Sequence, residues 1–156
     1  MRVGHGFDVH AFDEERRLVL GGITIPDTPG LAGHSDADVV SHAAADALLG
    51  AASLGDLGTH FPPNDRWRDA SSLELLREVA ARLSKAGFRI VNVDVTVIAE
   101  RPRLAAHLGA MAGAVAGALG VQGSALSIKA TTTDGLGFTG RGEGIAAAAV
   151  ALIEET

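Results

Sequence analysis

The sequence predicts one domain of the α/β (α+β) class, with a single mixed β-sheet covered by helices. Three observations lead there. Period-two alternation marks strands at both 2–12 and 88–99. Helix-length segments fall between the strand candidates, so the two element types share one layer order. A chain of 156 residues suits one core, here spanning 1–156.

In 2–12, Val3, His5, Phe7, Val9 and Ala11 point one way, and Gly4, Gly6, Asp8, His10 and Phe12 the other. Leu18-Val19-Leu20 and Ile23-Thr24-Ile25 around Gly21-Gly22 predict a hairpin. Residues 36–49 predict a helix that Asp36 or Ser35 can cap. Residues 50–70 read as a loop punctuated by Gly55, Gly58, Pro62 and Pro63. Ser71-Ser72-Leu73-Glu74 forms a capping-box pattern opening a helix through Lys85, with Leu73, Leu76, Ala80 and Leu83 as its apolar stripe. Val91, Val93, Val95 and Val97 share one face of the strand at 88–99. A helix at 104–119, a strand at 126–132 and a final helix at 144–154 complete the expectation.

Composition narrows the function classes. With 47% hydrophobic and 21% charged residues the chain is no disordered segment. Only 4% are aromatic, so Ala, Val, Leu and Ile must build the core. There is no cysteine, which removes disulfides and thiolate metal sites. The net charge of −6, without a Lys/Arg cluster, disfavours a nucleic-acid partner. No signal-peptide pattern opens the chain, and no apolar run reaches the roughly 18 residues of a membrane span. A soluble cytoplasmic protein without a membrane partner is expected.

Three groups of residues carry candidate chemistry. Asp8 and His10, two apart in a strand, share a face with their backbones roughly 6.5–7 Å apart. Either that face is wet, or both side chains converge on a cation. His42 lies in the apolar helix V-V-S-H-A-A-A-D-A-L-L, with Asp38 and Asp46 four residues to either side. It is either a buried histidine satisfied by a carboxylate or a third ligand oriented by one. Three Asp/His ligands with an open fourth position match a catalytic zinc site, where a phosphate would complete the set.

The second group is K-A-T-T-T-D-G-L-G-F-T-G-R-G-E-G at 129–144. Its hydroxyls and backbone N–H groups suit phosphate, the expected helix after it adds a dipole, and Asp134 can hold Mg²⁺. A simple turn and helix cap explain the same glycines, and the spacing is not that of a Walker A loop. The third is Gly33-His34-Ser35-Asp36, where Ser35 reads as a helix cap and His34 is placed to touch whatever His42 touches.

Together, G-F-D-V-H, H-S-D-A-D-V-V-S-H, L-G-D-L-G and the 129–144 stretch closely resemble the 2-C-methyl-D-erythritol 2,4-cyclodiphosphate synthase family, from Arg2 to the last element. The resemblance implies a homotrimer with active sites between subunits. The small-molecule substrate would be 4-diphosphocytidyl-2-C-methyl-D-erythritol 2-phosphate, cyclised with release of CMP, as in a phosphorus–oxygen lyase. Asp8, His10 and His42 then match zinc ligands, and Asp134 matches the ligand of a Mg²⁺ or Mn²⁺ that bridges the diphosphate. His34 and Thr132 match transition-state-stabilising positions, with Ser35 a substrate contact beside His34. Asp56, Gly58 and the run from Phe61 to Asp65 match the methylerythritol phosphate end. Ala99, Arg103, Leu104, Ala105, Ala130, Thr131, Thr132 and Thr133 match the cytidine diphosphate pocket; Phe138 and Arg141 match further contacts. Asp134 stands where many members carry Glu, Arg103 where Lys is common, and Pro63-Asn64 in a loop that is more acidic in relatives. A zinc-dependent phosphodiesterase or pyrophosphatase, and a non-enzymatic nucleotide-binding trimer, are the rival classes.

Overall fold

A computed structural model describes residues 1–156. Five strands form one mixed sheet in the order β2-β1-β5-β3-β4. They are β1 (Arg2–Leu20), β2 (Ile23–Leu31), β3 (Phe88–Ile98), β4 (Leu126–Thr131) and β5 (Gly144–Glu155). Only β3 and β4 run parallel, because α4 (Leu108–Leu119) crosses between them. The other helices are α1 (Val39–Ala51), α2 (Leu57–His60), α3 (Ser72–Lys85) and α5 (Gly137–Gly140). The predicted class and hairpin are present. No helix is long and apolar enough to cross a membrane.

β1 extends well past residue 12. Arg2 to Ala11 pair with β5, and Phe12 to Leu20 pair with β2, after register shifts between Asp13 and Leu18. Its small-residue face receives α1. A Cβ on Gly6 would lie 2.6 Å from the backbone nitrogen of Ala47, and one on Gly4 2.6 Å from that of Ala51. Both glycines are therefore required by the approach of the helix.

The helix expected at 144–154 is instead β5, the central strand. Ile145, Ala147, Ala149, Ala151 and Ile153 are all buried, on the face that α1 covers. Alanine favours helix in isolation, but pairing with β1 and β3 on both edges overrides that weak preference. Small side chains are what let α1 lie close.

Helix ends also differ from expectation. Asp38, not Ser35 or Asp36, caps α1 by accepting the Ser41 N–H at 3.2 Å. The Ser71 side chain makes no capping bond; Asp36 replaces it from outside, accepting the Ser72 N–H at 2.8 Å. The buried stripe of α3 is Leu75, Leu76, Val79 and Leu83, while Leu73 and Ala80 are partly buried. Residues 104–107 form a turn rather than the first turn of α4. The 50–70 stretch contains α2 and a 3-10 turn at Asp65–Trp67.

One sheet face has no cover. Val3, Phe7, Val9 and Val150 are 69%, 50%, 42% and 47% exposed, side by side on the surface opposite α1.

Candidate metal centre and phosphate-binding loops

Strand alternation puts Asp8 and His10 on the α1 face of β1, and α1 lays His42 over them. Asp8 Oδ2 lies 2.9 Å from His10 Nε2 and 3.0 Å from His42 Nδ1. The two imidazole nitrogens are 3.3 Å apart. A tetrahedron with ligands at ~2.0 Å has edges of about 3.3 Å, so this donor set fits a zinc-sized cation with little adjustment. The wet-face reading of Asp8 and His10 is thereby set aside, and the three atoms form a metal-type cluster.

The charges already anticipate a cation. Burial acts to raise the Asp8 carboxyl, but hydrogen bonds from His10 and His42 more than reverse this and hold it at about 2. Burial acts to lower His10, and the Asp8 carboxylate outweighs it, raising the imidazole above its usual value. His10 Nδ1 donates to the Ala32 carbonyl at 2.6 Å, which turns Nε2 toward Asp8 as the ligand atom.

Neither Asp38 nor Asp46 orients His42. Asp38 bonds the Gly21 and Gly22 N–H groups and Ser41, and Asp46 accepts the Leu57 N–H at 2.7 Å. The outer nitrogen of His42, Nε2, instead meets Ser72 Oγ at 3.0 Å and Ser35 Oγ at 3.2 Å. Helix periodicity pointed to residues four apart, yet the partners come from a loop and from α3.

A cavity of about 240 Å³ opens beside the cluster, lined also by His34, Ser35, Phe61, Pro63 and Trp67. Phe61 and Trp67 meet edge to face with centroids 4.9 Å apart, forming its apolar wall. His34 Nε2 donates to the Asn64 carbonyl at 2.7 Å. Asp56 caps α2, accepting Thr59 N–H at 2.8 Å, and Gly58 follows in that turn. Hydrogen bonds from Thr59 hold the exposed Asp56 carboxyl below the usual range. Asp65 is exposed and pairs with Arg68.

A second cavity of about 360 Å³ is lined by Ala99, Arg103, Leu104, Ala105, Ala130, Thr131 and Thr132. Glu100, which sequence reading passed over, organises the loop beside it. Its Oε1 accepts the N–H groups of Thr133 at 2.9 Å and Gly135 at 3.2 Å. Asp134 is thereby presented on an exposed turn, with Thr132 Oγ1 at 3.3 Å from its carboxylate. The helix dipole expected after this loop is absent: α5 is a single turn and β5 follows. Phe138 and Arg141 are exposed on that turn, Arg141 pairing with Glu143 at 2.7 Å.

The two cavities do not meet within the chain. Asp8 pairs with Ala147, Ala147 with Val97 and Val97 with Ala130. Three strand spacings separate the cluster from the threonine edge, about 14 Å.

Comparison with known proteins gives this arrangement a class. The YgbB family profile matches residues 1–154, and the chain belongs to that family. A curated relative from Moorella thermoacetica, 2-C-methyl-D-erythritol 2,4-cyclodiphosphate synthase, is 60% identical over 98% of this chain and 94% of its own. Among solved structures, the bifunctional IspDF of Campylobacter jejuni superposes with a TM-score of 0.95 at 41% identity, over 99% of this chain and 42% of that one. A CDP-bound 2C-methyl-D-erythritol-2,4-cyclodiphosphate synthase gives 0.89 at 32% identity, over 98% and 100% of the two chains.

Proposed function

We propose that this chain converts 4-diphosphocytidyl-2-C-methyl-D-erythritol 2-phosphate to 2-C-methyl-D-erythritol 2,4-cyclodiphosphate, releasing CMP. The observation that carries the proposal is the convergence of Asp8, His10 and His42 beside an open cavity, in a chain so similar to a named synthase along its length. The 2-phosphate oxygen forms a bond to the β-phosphorus, and the bond from that phosphorus to the CMP oxygen breaks. A phosphate nucleophile is already anionic, so no general base is obligatory. Positioning and charge stabilisation therefore dominate.

The residues divide that work. Asp8, His10 and His42 would hold Zn²⁺, which when bound supplies positive charge to a phosphate in an acidic protein. His34, Ser35, Asp56, Gly58 and the stretch from Phe61 to Asp65 receive the methylerythritol phosphate end, and the Phe61–Trp67 wall keeps competing water out. Ala99, Arg103, Leu104, Ala105 and Ala130 to Thr133 receive the cytidine diphosphate, with Thr132 and His34 stabilising the transition state. Asp134 would hold Mg²⁺ or Mn²⁺ at the diphosphate, a role that suits one carboxylate plus substrate phosphates. Phe138 and Arg141 add outer contacts.

A homotrimer reconciles the separated cavities, since a neighbour's threonine edge can complete each metal cavity. The uncovered apolar sheet face supports the same assembly. The decisive experiment is phosphorus NMR of the protein with the diphosphocytidyl substrate and both metals. A cyclic diphosphate with equimolar CMP is expected. A linear product would instead indicate a hydrolase, and no CMP release a binding protein.

A further inference from the structure

His42 can serve the metal centre only with its lone pair on Nδ1, the nitrogen 3.0 Å from Asp8 Oδ2. Its proton must then sit on Nε2, although without a cation the Asp8 carboxylate, which only accepts, draws it to Nδ1; the surroundings of Nε2 decide how readily the proton is held there once a cation binds. Ser72 Oγ lies 3.0 Å away, on a residue only 1% exposed in the first turn of α3. The same hydroxyl bonds Asp36 Oδ1, while the Ser72 N–H donates to Asp36 Oδ2 at 2.8 Å. A carboxylate only accepts, so Ser72 donates its proton to Asp36. Its oxygen is left to accept from His42 Nε2. The opposite tautomer would face two lone pairs across the same gap unless Ser72 abandoned Asp36.

Ser35 approaches Nε2 at 3.2 Å but imposes no direction. Its oxygen already accepts the Ala37 N–H at 3.3 Å, and no carboxylate fixes its proton. We propose that Asp36 and Ser72 are positioning residues of the metal centre: a carboxylate–serine–histidine relay that holds the His42 proton on Nε2 once a cation replaces the hydrogen bond between Nδ1 and Asp8. This rests on the metal reading of Asp8, His10 and His42. It assigns a binding role to a serine that otherwise looks like part of a helix start.

The test uses the full chain loaded with Zn²⁺. Long-range proton–nitrogen correlation of the histidine rings reports the Nε2 proton of His42 and its exchange with solvent, and chelator competition reports Zn²⁺ affinity. The wild-type chain is expected to show a slowly exchanging Nε2 proton. Ser72→Ala should open that proton to rapid exchange and weaken Zn²⁺ binding by about 10–100-fold, Ser72→Thr should recover most of both losses, and Ser71→Ala should match wild type. An Nε2 proton that exchanges as slowly in Ser72→Ala as in wild type overturns the relay, even if affinity falls, because packing alone then explains the fall. If Ser72→Ala does not fold, Asp36→Asn carries the same readouts, and wild-type exchange and affinity there overturn it equally. A wild-type chain that binds no Zn²⁺ overturns the metal reading itself, an outcome distinct from unchanged exchange in a chain that binds it.

Discussion

Asp38 Oδ2 accepts the backbone N–H of Gly22 at 2.7 Å, tying the start of α1 to the turn between β1 and β2. Its other oxygen takes the Gly21 N–H at 2.8 Å, and the Ser41 hydroxyl donates to Oδ2 at 2.7 Å. The side chain is fully buried; burial, reinforced by Asp36, pushes its carboxyl above the usual range, and these donors counter the push. In Asp38→Asn, whichever oxygen becomes the amide nitrogen turns a donor toward a donor. A loss of about 2–3 kcal/mol is expected in urea unfolding, and a loss below ~0.5 kcal/mol would contradict this account.

Asp8→Asn removes the anion that the two imidazoles share. The fold should persist, because Asp8 sits at the cavity rim at 25% side-chain exposure. Zn²⁺ affinity and CMP release should each fall by at least ~100-fold, beyond what loss of an outer partner causes. Retained CMP release at near wild-type rate would sink the ligand assignment.

Glu100 gives a prediction with a defined pH window. Hydrogen bonds from the Gly135 and Thr133 backbone lower its carboxyl below the ordinary value of 4.5. A lowered acid stabilises the loop fully above the unfolded value and loses that contribution as pH falls through the folded one. Exchange protection of the Thr133 and Gly135 amides should therefore be governed by the same loop stability at pH 7 and pH 5, once intrinsic exchange rates are corrected. Glu100→Ala should abolish the protection, and Glu100→Gln, whose amide oxygen can accept the same bonds, should keep much of it.

Phe7 tests the assembly. It is half exposed on the uncovered sheet face, so Phe7→Glu would bury a charge in any interface formed there. Light scattering after size exclusion should show a trimer for wild type and a monomer for the variant. A variant that remains trimeric would place the interface elsewhere.

How much of this was legible in the sequence depends on the range of the forces involved. Asp8 and His10 were readable because a two-residue period is local, and the hairpin because Gly21 and Gly22 adopt the positive φ such turns need. The Ile145 to Ile153 stretch was misread because four consecutive alanines, Ala146 to Ala149, carry no period. Only its neighbours on both edges make it a strand. Ser72 and Glu100 escaped notice for a related cause. Their partners lie 30 and 33 residues away in sequence, and no spacing rule links a serine at one helix start to a histidine within another.

The glycines under α1 have one more consequence, for the alignment of the strands themselves. Ala146 to Ala149 offer no side chain that distinguishes one pairing from the next, so the β1–β5 ladder has little of its own to prevent slippage. Gly4 and Gly6 act as a key: a slip of one residue in β1 would thrust Val3 or Phe7 into the backbone of α1, where no Cβ is tolerated. The same slip would turn Asp8 and His10 to the opposite surface. Correct alignment and a formed ligand cluster are thus one event, and a chain that closes its sheet wrongly cannot also close its helix.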